Sequence, residues 1–234
     1  AYLDWARGMA CLLMFQTHCY DAWLGPAARQ TTFFHWTRMG GTLPAPIFLF
    51  LVGVGVALVS DRAIAKGATA WDASRAAMRR GAQIFGLALL FRLQEFLLGQ
   101  PRAPWTDLLR VDVLNIIGLS LVLLGAFFGV MWRGWDPRSA SPSAPERATA
   151  IVARLRTRTG ATAALIAAAV ALATPPLWTT FRPRWLPWFL ESYINGVHIF
   201  DQPQPYLFAL FPWAAFAFAG FAAGCFLITP WARR

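Results

Sequence analysis

Six apolar blocks limit what this chain can become: residues 5–24, 43–60, 82–99, 112–132, 161–178 and 206–227. Each has about the length needed to cross a bilayer core, which takes ~20 helical residues. They predict an all-α, polytopic transmembrane helix bundle of six spans, with residues 1–234 forming one membrane domain. Composition agrees. Hydrophobic residues make up 57% of the chain and charged residues 14%, with 12 Trp and 19 Phe. Soluble domains average about 45–50% and ~25% for the first two classes.

The net charge of +10 could suggest a nucleic-acid partner, but its distribution points to membrane topology instead. The loop after the second span holds Arg62, Lys66, Arg75, Arg79 and Arg80. The loop after the fourth holds Arg133, Arg138, Arg147, Arg154, Arg156 and Arg158. With Arg7 and the terminal Arg233-Arg234, 14 basic residues fall on one side. The other side has six: Arg29, Arg38, Arg102, Arg110, Arg182 and Arg184. The positive-inside rule then places both termini in the cytoplasm. The single lysine among 21 basic residues suggests a GC-rich bacterial genome, hence a multi-pass protein of the bacterial inner membrane.

Cys11, Cys19 and Cys225 all fall in spans, without metal-ligand spacing, and read as buried and inert. The stretch Trp71 to Arg80 predicts a short basic amphipathic helix on the membrane surface. Ser139 to Pro145 reads as a flexible tether. Pro175-Pro176 closes the fifth span, and Gly220 and Gly224 form a small-xxx-small packing pattern in the last.

The polar residues inside the spans carry the functional signal, because ionisable groups there are costly. At about 100° per residue, Asp4, Arg7, Cys11, Met14 and His18 share one face of the first helix. Arg7 and His18 are about 16 Å apart along it. His18 and Asp21 end the first span; Arg92 and Glu95 lie one turn apart in the third, with Arg92 close to mid-membrane. Asp112 and Asn115 open the fourth. Both His35 and His198 hang over this group from outer loops, His198 reading as a loop residue. A carboxylate beside an imidazole fixes its tautomer and raises its basicity, as general-base catalysis needs. Plainer structural roles compete. Arg92–Glu95 reads as a self-neutralising pair, Asp4–Arg7 can anchor the first span, and Asp112 suits a helix N-terminus.

Four stretches resemble one family of membrane enzymes. They are Asp4-x-x-Arg7-Gly8 with its apolar run to a polar helix end, Ala45 to Gly53, Val111 to Gly118, and Phe211-Pro212-Trp213 leading to Gly220. In that order they resemble the heparan-alpha-glucosaminide N-acetyltransferase family and its bacterial relatives. The resemblance implies transfer of an acetyl or other acyl group from cytoplasmic acyl-CoA to an amine or hydroxyl acceptor, a small molecule or a glycan, at the outer face. It matches His18 to the Asn or His ending the family's first span, and His35 to a second histidine in the outer loop. It also implies about ten spans, so six here suggest part of a longer family unit.

Under this reading the donor's phosphates meet Asp4–Arg7 and the basic loop of Arg75, Arg79 and Arg80, since guanidinium groups suit phosphate. The pantetheine arm runs up the stripe to His18, which Asp21 or Glu95 orients as general base. Acyl-histidine formation is the other route. Arg92, Asp112 and Asn115 bind substrate, with Asn115 and Arg92 placed to hold an oxyanion. No metal is implied. Two alternatives belong to other classes: a non-catalytic subunit of a larger membrane complex or homo-oligomer, and a transporter lined by the intramembrane ion pair.

Overall fold

The computed structural model describes residues 2–135, 145–181, 183, 185–195, 198–199, 202–203 and 208–229. Helices fill the predicted spans: α1 (Tyr2–Trp23), α3 (Pro44–Ala65), α4 (Ala70–Leu98), α5 (Val113–Met131), α6 (Pro145–Thr179) and α8 (Leu210–Leu227). The short α2 (Thr32–Gly40) and α7 (Trp188–Ile194) lie in the predicted outer loops. So do two two-residue strands, β1 (His198–Ile199) and β2 (Gln202–Pro203). Arg138, Arg182, Arg184, Arg233, Arg234 and residues 139–144 of the predicted tether lie outside the described residues, as does the side chain of His198.

Five of the six long helices have the length and apolarity to cross a membrane, and the molecule is a polytopic helical bundle. The exception is α1, which is long enough at 22 residues but carries Asp4, Arg7, Gln16, His18 and Asp21. Its polar side chains lower its apolarity, and all of them but Gln16 are residues the sequence marks for function.

Two helices start earlier than their apolar blocks. The predicted surface helix at Trp71–Arg80 is the first part of α4 itself, 29 residues long. Thr69 starts it with a capping box: its hydroxyl accepts from the Asp72 amide, and the Asp72 carboxylate accepts from the Thr69 amide at 3.2 Å. Four alanines in the next turns, Ala70, Ala73, Ala76 and Ala77, favour continuing the helix. Likewise α6 runs for 35 residues and passes through Pro175-Pro176, where the sequence suggested an end. The prolines cost only local amide donors, and the freed end is held from outside. Asn195, at the end of α7, donates to the carbonyls of Leu177 and Phe181 at 3.1 and 3.2 Å.

Glycine contacts decide the packing. On the α3–α8 interface, a Cβ on Gly220 would meet the Phe50 carbonyl, and one on Gly53 would meet the Ala217 carbonyl. On the α4–α5 interface, Gly81 and Gly118 also bring the backbones close, though less so, and Ser74 donates to the Gly125 carbonyl at 2.8 Å. Close backbone approach of this kind drives helix association in lipid, where no hydrophobic force between helices exists. Asp61 of α3 pairs with Arg156 of α6 near the other end. The core of Val56, Leu124, Phe128, Phe218 and Phe221 lies among α3, α5 and α8. Against this compact unit α1 is peripheral. It packs chiefly on α3, and Ala10 is its one buried residue.

Candidate functional site

One open cleft of about 480 Å³ lies between α1, α3 and α4, with Leu121 of α5 at its back. Along α3 its lining runs from Phe48 to Ala63, about 22 Å at ~1.5 Å per residue. Nearly all of it is aliphatic or aromatic. Three polar side chains line it: Arg7, Arg80 and Ser60.

The two arginines stand at the same height on opposite walls. Arg7 reaches α3 opposite Gly55, where a Cβ would lie 3.8 Å from its guanidinium. Gly55 is ten residues from the end of α3, and Arg80 is ten residues into α4, on the returning arm of the same hairpin. Gly55 itself lines the cleft between them. Arg7 keeps Asp4 as a partner at 3.0 Å and is half exposed, so part of its donor set is available.

This geometry divides the predicted basic group. Ala73, Ala76, Ala77 and Arg80 form the cleft face of α4. At about 100° per residue, Arg75 and Arg79 lie roughly on the opposite face, and both are exposed. They do not line the cleft. Spacing alone could have found this, by counting from the alanine face rather than grouping charges by proximity in sequence.

Toward the other end, His18 shares the face of α1 that bears Arg7, about three helical turns further on. Its imidazole is exposed, without a hydrogen-bond partner among the described residues; Asp21 is also exposed and is engaged through its backbone carbonyl, which accepts from Arg29 at 2.8 Å. The expected His18–Asp21 pair is therefore not formed. His35 arrives on α2, whose Phe34 ring packs 5.9 Å from Tyr20, two residues beyond His18; the His35 ring lies 6.0 Å from Phe34. Both histidines thus belong to the same end of α1, joined through Tyr20 and Phe34. Tyr20 also accepts a hydrogen bond from Gln16 at 3.1 Å.

The α4–α5 polar group forms a connected unit. Arg92 donates to Glu95 and to Asp112, each at 2.5 Å, with its own side chain 11% exposed. The sequence placed Arg92 near mid-membrane. In the full helix, which starts at Ala70, Arg92 is 22 residues along and within two turns of its C-terminal end. Asp112 is the N-cap of α5, and its amide donates to Asn115 Oδ1 at 3.1 Å in a capping box. Asn115 is fully buried, and its Nδ2 has no partner among the described residues. With Arg92 bound to it, Glu95 is not free to orient His18 as expected. It still lies within about 60° of Arg80 on α4, so the two groups share a side of that helix.

The cysteine reading needs correction. Cys225 is buried, whereas Cys19 is partly and Cys11 more fully exposed, because α1 meets α3 chiefly through the side that carries Ala10. Tyr193, missed in the sequence, packs its ring 5.8 Å from Phe85, and burial pushes its phenol pKa up, so it stays neutral at ordinary pH.

A cleft with paired arginines, capped by histidines at the far end of one wall, is consistent with a family match over residues 1–139. The matching family model is described as heparan-alpha-glucosaminide N-acetyltransferase, catalytic. The chain belongs to this family. The matched region carries every residue that lines the cleft, together with His18, His35, Glu95 and Asp112. In this acetyltransferase relative, α6 to α8 fall outside the match. No curated relative and no solved structure matches the chain.

Proposed function

We propose that the protein is an integral-membrane acyltransferase taking its acyl group from cytoplasmic acyl-CoA, with both termini in the cytoplasm. The observation that carries this is the pairing of Arg7 and Arg80 across one cleft, on the α1 face that leads to His18, in a chain of this acetyltransferase family. Two guanidinium groups on facing walls suit the donor's phosphates, with Arg able to bind each bidentately. From there His18 is about 16 Å along α1, a distance the pantetheine arm bridges.

The thioester carbonyl is thereby brought to the histidine end. His18 takes the proton from the acceptor amine or hydroxyl as that atom attacks the carbonyl carbon. The carbonyl electron pair moves to oxygen, then returns as the carbon–sulfur bond breaks and coenzyme A leaves as its thiolate. Attack by His18 itself, giving an acyl-histidine, uses the same placement. His35, on the same end through Phe34 and Tyr20, lines the acceptor's approach.

The test is a transfer and thioester-hydrolysis assay on the purified chain with acetyl-CoA. His18→Ala should lower turnover by about 10²–10⁴-fold, the usual cost of losing a general base, with donor affinity nearly unchanged. Arg7→Ala and Arg80→Ala should do the reverse. A wild type that neither binds nor consumes acyl-CoA refutes the reading and favours a non-catalytic subunit, for which the exposed His18, Asp21 and Glu95 would be a partner's contact surface.

A further inference from the structure

Arg75 and Arg79 are left without a role by the cleft, and their face of α4 has a chemistry of its own. Trp71, Arg75 and Arg79 recur at four-residue spacing, so they form one stripe within about 80°. All three are exposed, Trp71 at 61%. Neither guanidinium has a carboxylate partner among the described residues. The nearest acid in sequence, Asp72, is engaged by Thr69, accepting from its amide at 3.2 Å and its hydroxyl at 2.7 Å. The neighbouring inner charges, Arg62 and Lys66 at the end of α3, are also basic and exposed.

Height along the helix adds the second constraint. With 29 residues, α4 is about 44 Å long, against ~30 Å for a bilayer core. Its apolar part, residues 81–98, is about 27 Å long, close to the thickness of that core. The excess therefore falls at the Trp71 end, with Arg79 next to the core, Arg75 one turn further out and Trp71 one turn beyond it. Arginine at the edge of the core meets lipid phosphate.

We propose that this stripe is a binding face for one anionic phospholipid of the inner leaflet. Arg75 and Arg79 hold the phosphate, and the Trp71 ring, a turn nearer the water, covers the headgroup. The face is on the far side of α4 from the cleft, so the inference is independent of acyl transfer.

Native mass spectrometry of the full chain with phosphatidylglycerol and phosphatidylcholine tests it. The wild type should retain phosphatidylglycerol preferentially. Affinity should fall about fivefold for Arg75→Gln or Arg79→Gln and about 25-fold for both together. Arg75→Lys with Arg79→Lys should retain most of the preference, since a point charge suffices. The control Arg62→Gln with Arg133→Gln removes the same charge elsewhere on the inner side and should leave it intact. An equal loss in that control, or no headgroup preference in the wild type, overturns the proposal. Should the double glutamine variant fail to fold, fluorescence decides. The emission lost on Trp71→Phe should shift to shorter wavelength on adding phosphatidylglycerol and not on adding phosphatidylcholine, and equal shifts refute the site.

Discussion

Asp112 performs two jobs at one position, and substitution can separate them. One oxygen accepts from the Val113 amide at 2.5 Å as the N-cap of α5; the other holds Arg92 across to α4. Asp112→Asn keeps the cap, because Asn caps as well as Asp, and deletes only the charge. The exposures set the size of that loss: Arg92 is 11% exposed, Asp112 32% and Glu95 60%. The Glu95 arm is close to a surface pair, worth about 0–1 kcal/mol. The Asp112 arm falls between that and the ~3–5 kcal/mol cost of breaking a fully buried pair. We expect Asp112→Asn to cost about 2 kcal/mol, and Asp112→Ala about 3 kcal/mol once the lost cap is included. Glu95→Gln should cost about 0.5 kcal/mol. If a stranded guanidinium drives the cost, Arg92→Met should recover part of it in the Asp112→Asn background. Reversible unfolding in mixed dodecyl maltoside and SDS micelles, followed by circular dichroism, gives these differences. Equal stability of Asp112→Asn and Glu95→Gln, or a double variant worse than Asp112→Asn, would refute the ranking of the two arms.

Two further outcomes are accessible to simple measurements. Gly53→Ala and Gly220→Ala, each driven into a facing carbonyl, should destabilise by 2 kcal/mol or more (on the order of an overpacking penalty), whereas Gly86→Ala, with open space around it, should be neutral or up to about 1 kcal/mol stabilising. If α4 and α1 cross as proposed, single cysteines at positions 35 and 105 should be labelled by an impermeant reagent from outside and those at 75 and 154 should not; the opposite pattern would put the histidines on the donor's side.

What the sequence made legible was governed by apolar continuity. Every block it offered is a helix, because a long apolar run has few other ways to satisfy its backbone in lipid. The errors fall where apolarity stops but the helix does not. Arg75, Arg79 and Arg80 look like the end of a membrane segment, yet Thr69-x-x-Asp72 was already a readable helix start. The sequence grouped Arg92 and Glu95 with Asp112, and Arg92 does join the two carboxylates. The capping box of Asp112 and Asn115 was latent in the same way: the residues were singled out, but their local geometry depends on where α5 begins. The cleft lay beyond sequence reading, since it exists only because α1 and α4 both lean on α3 without closing on each other.

That last feature bears on how the site can work. The close glycine contacts lie between α3 and α8 and between α4 and α5, so two walls of the cleft, α3 and α4, are each backed by a tightly fitted partner. The third wall is α1, which has a single buried residue and carries both Arg7 and His18. A donor bound between Arg7 and Arg80 therefore joins the weakly packed wall to the well-packed one, and the free energy of that contact acts directly on the position of α1. His18 lies on the same helix, so whatever fixes Arg7 also restricts the imidazole about 16 Å away. Preorganising a base this way would couple donor binding to catalysis through one rigid helix.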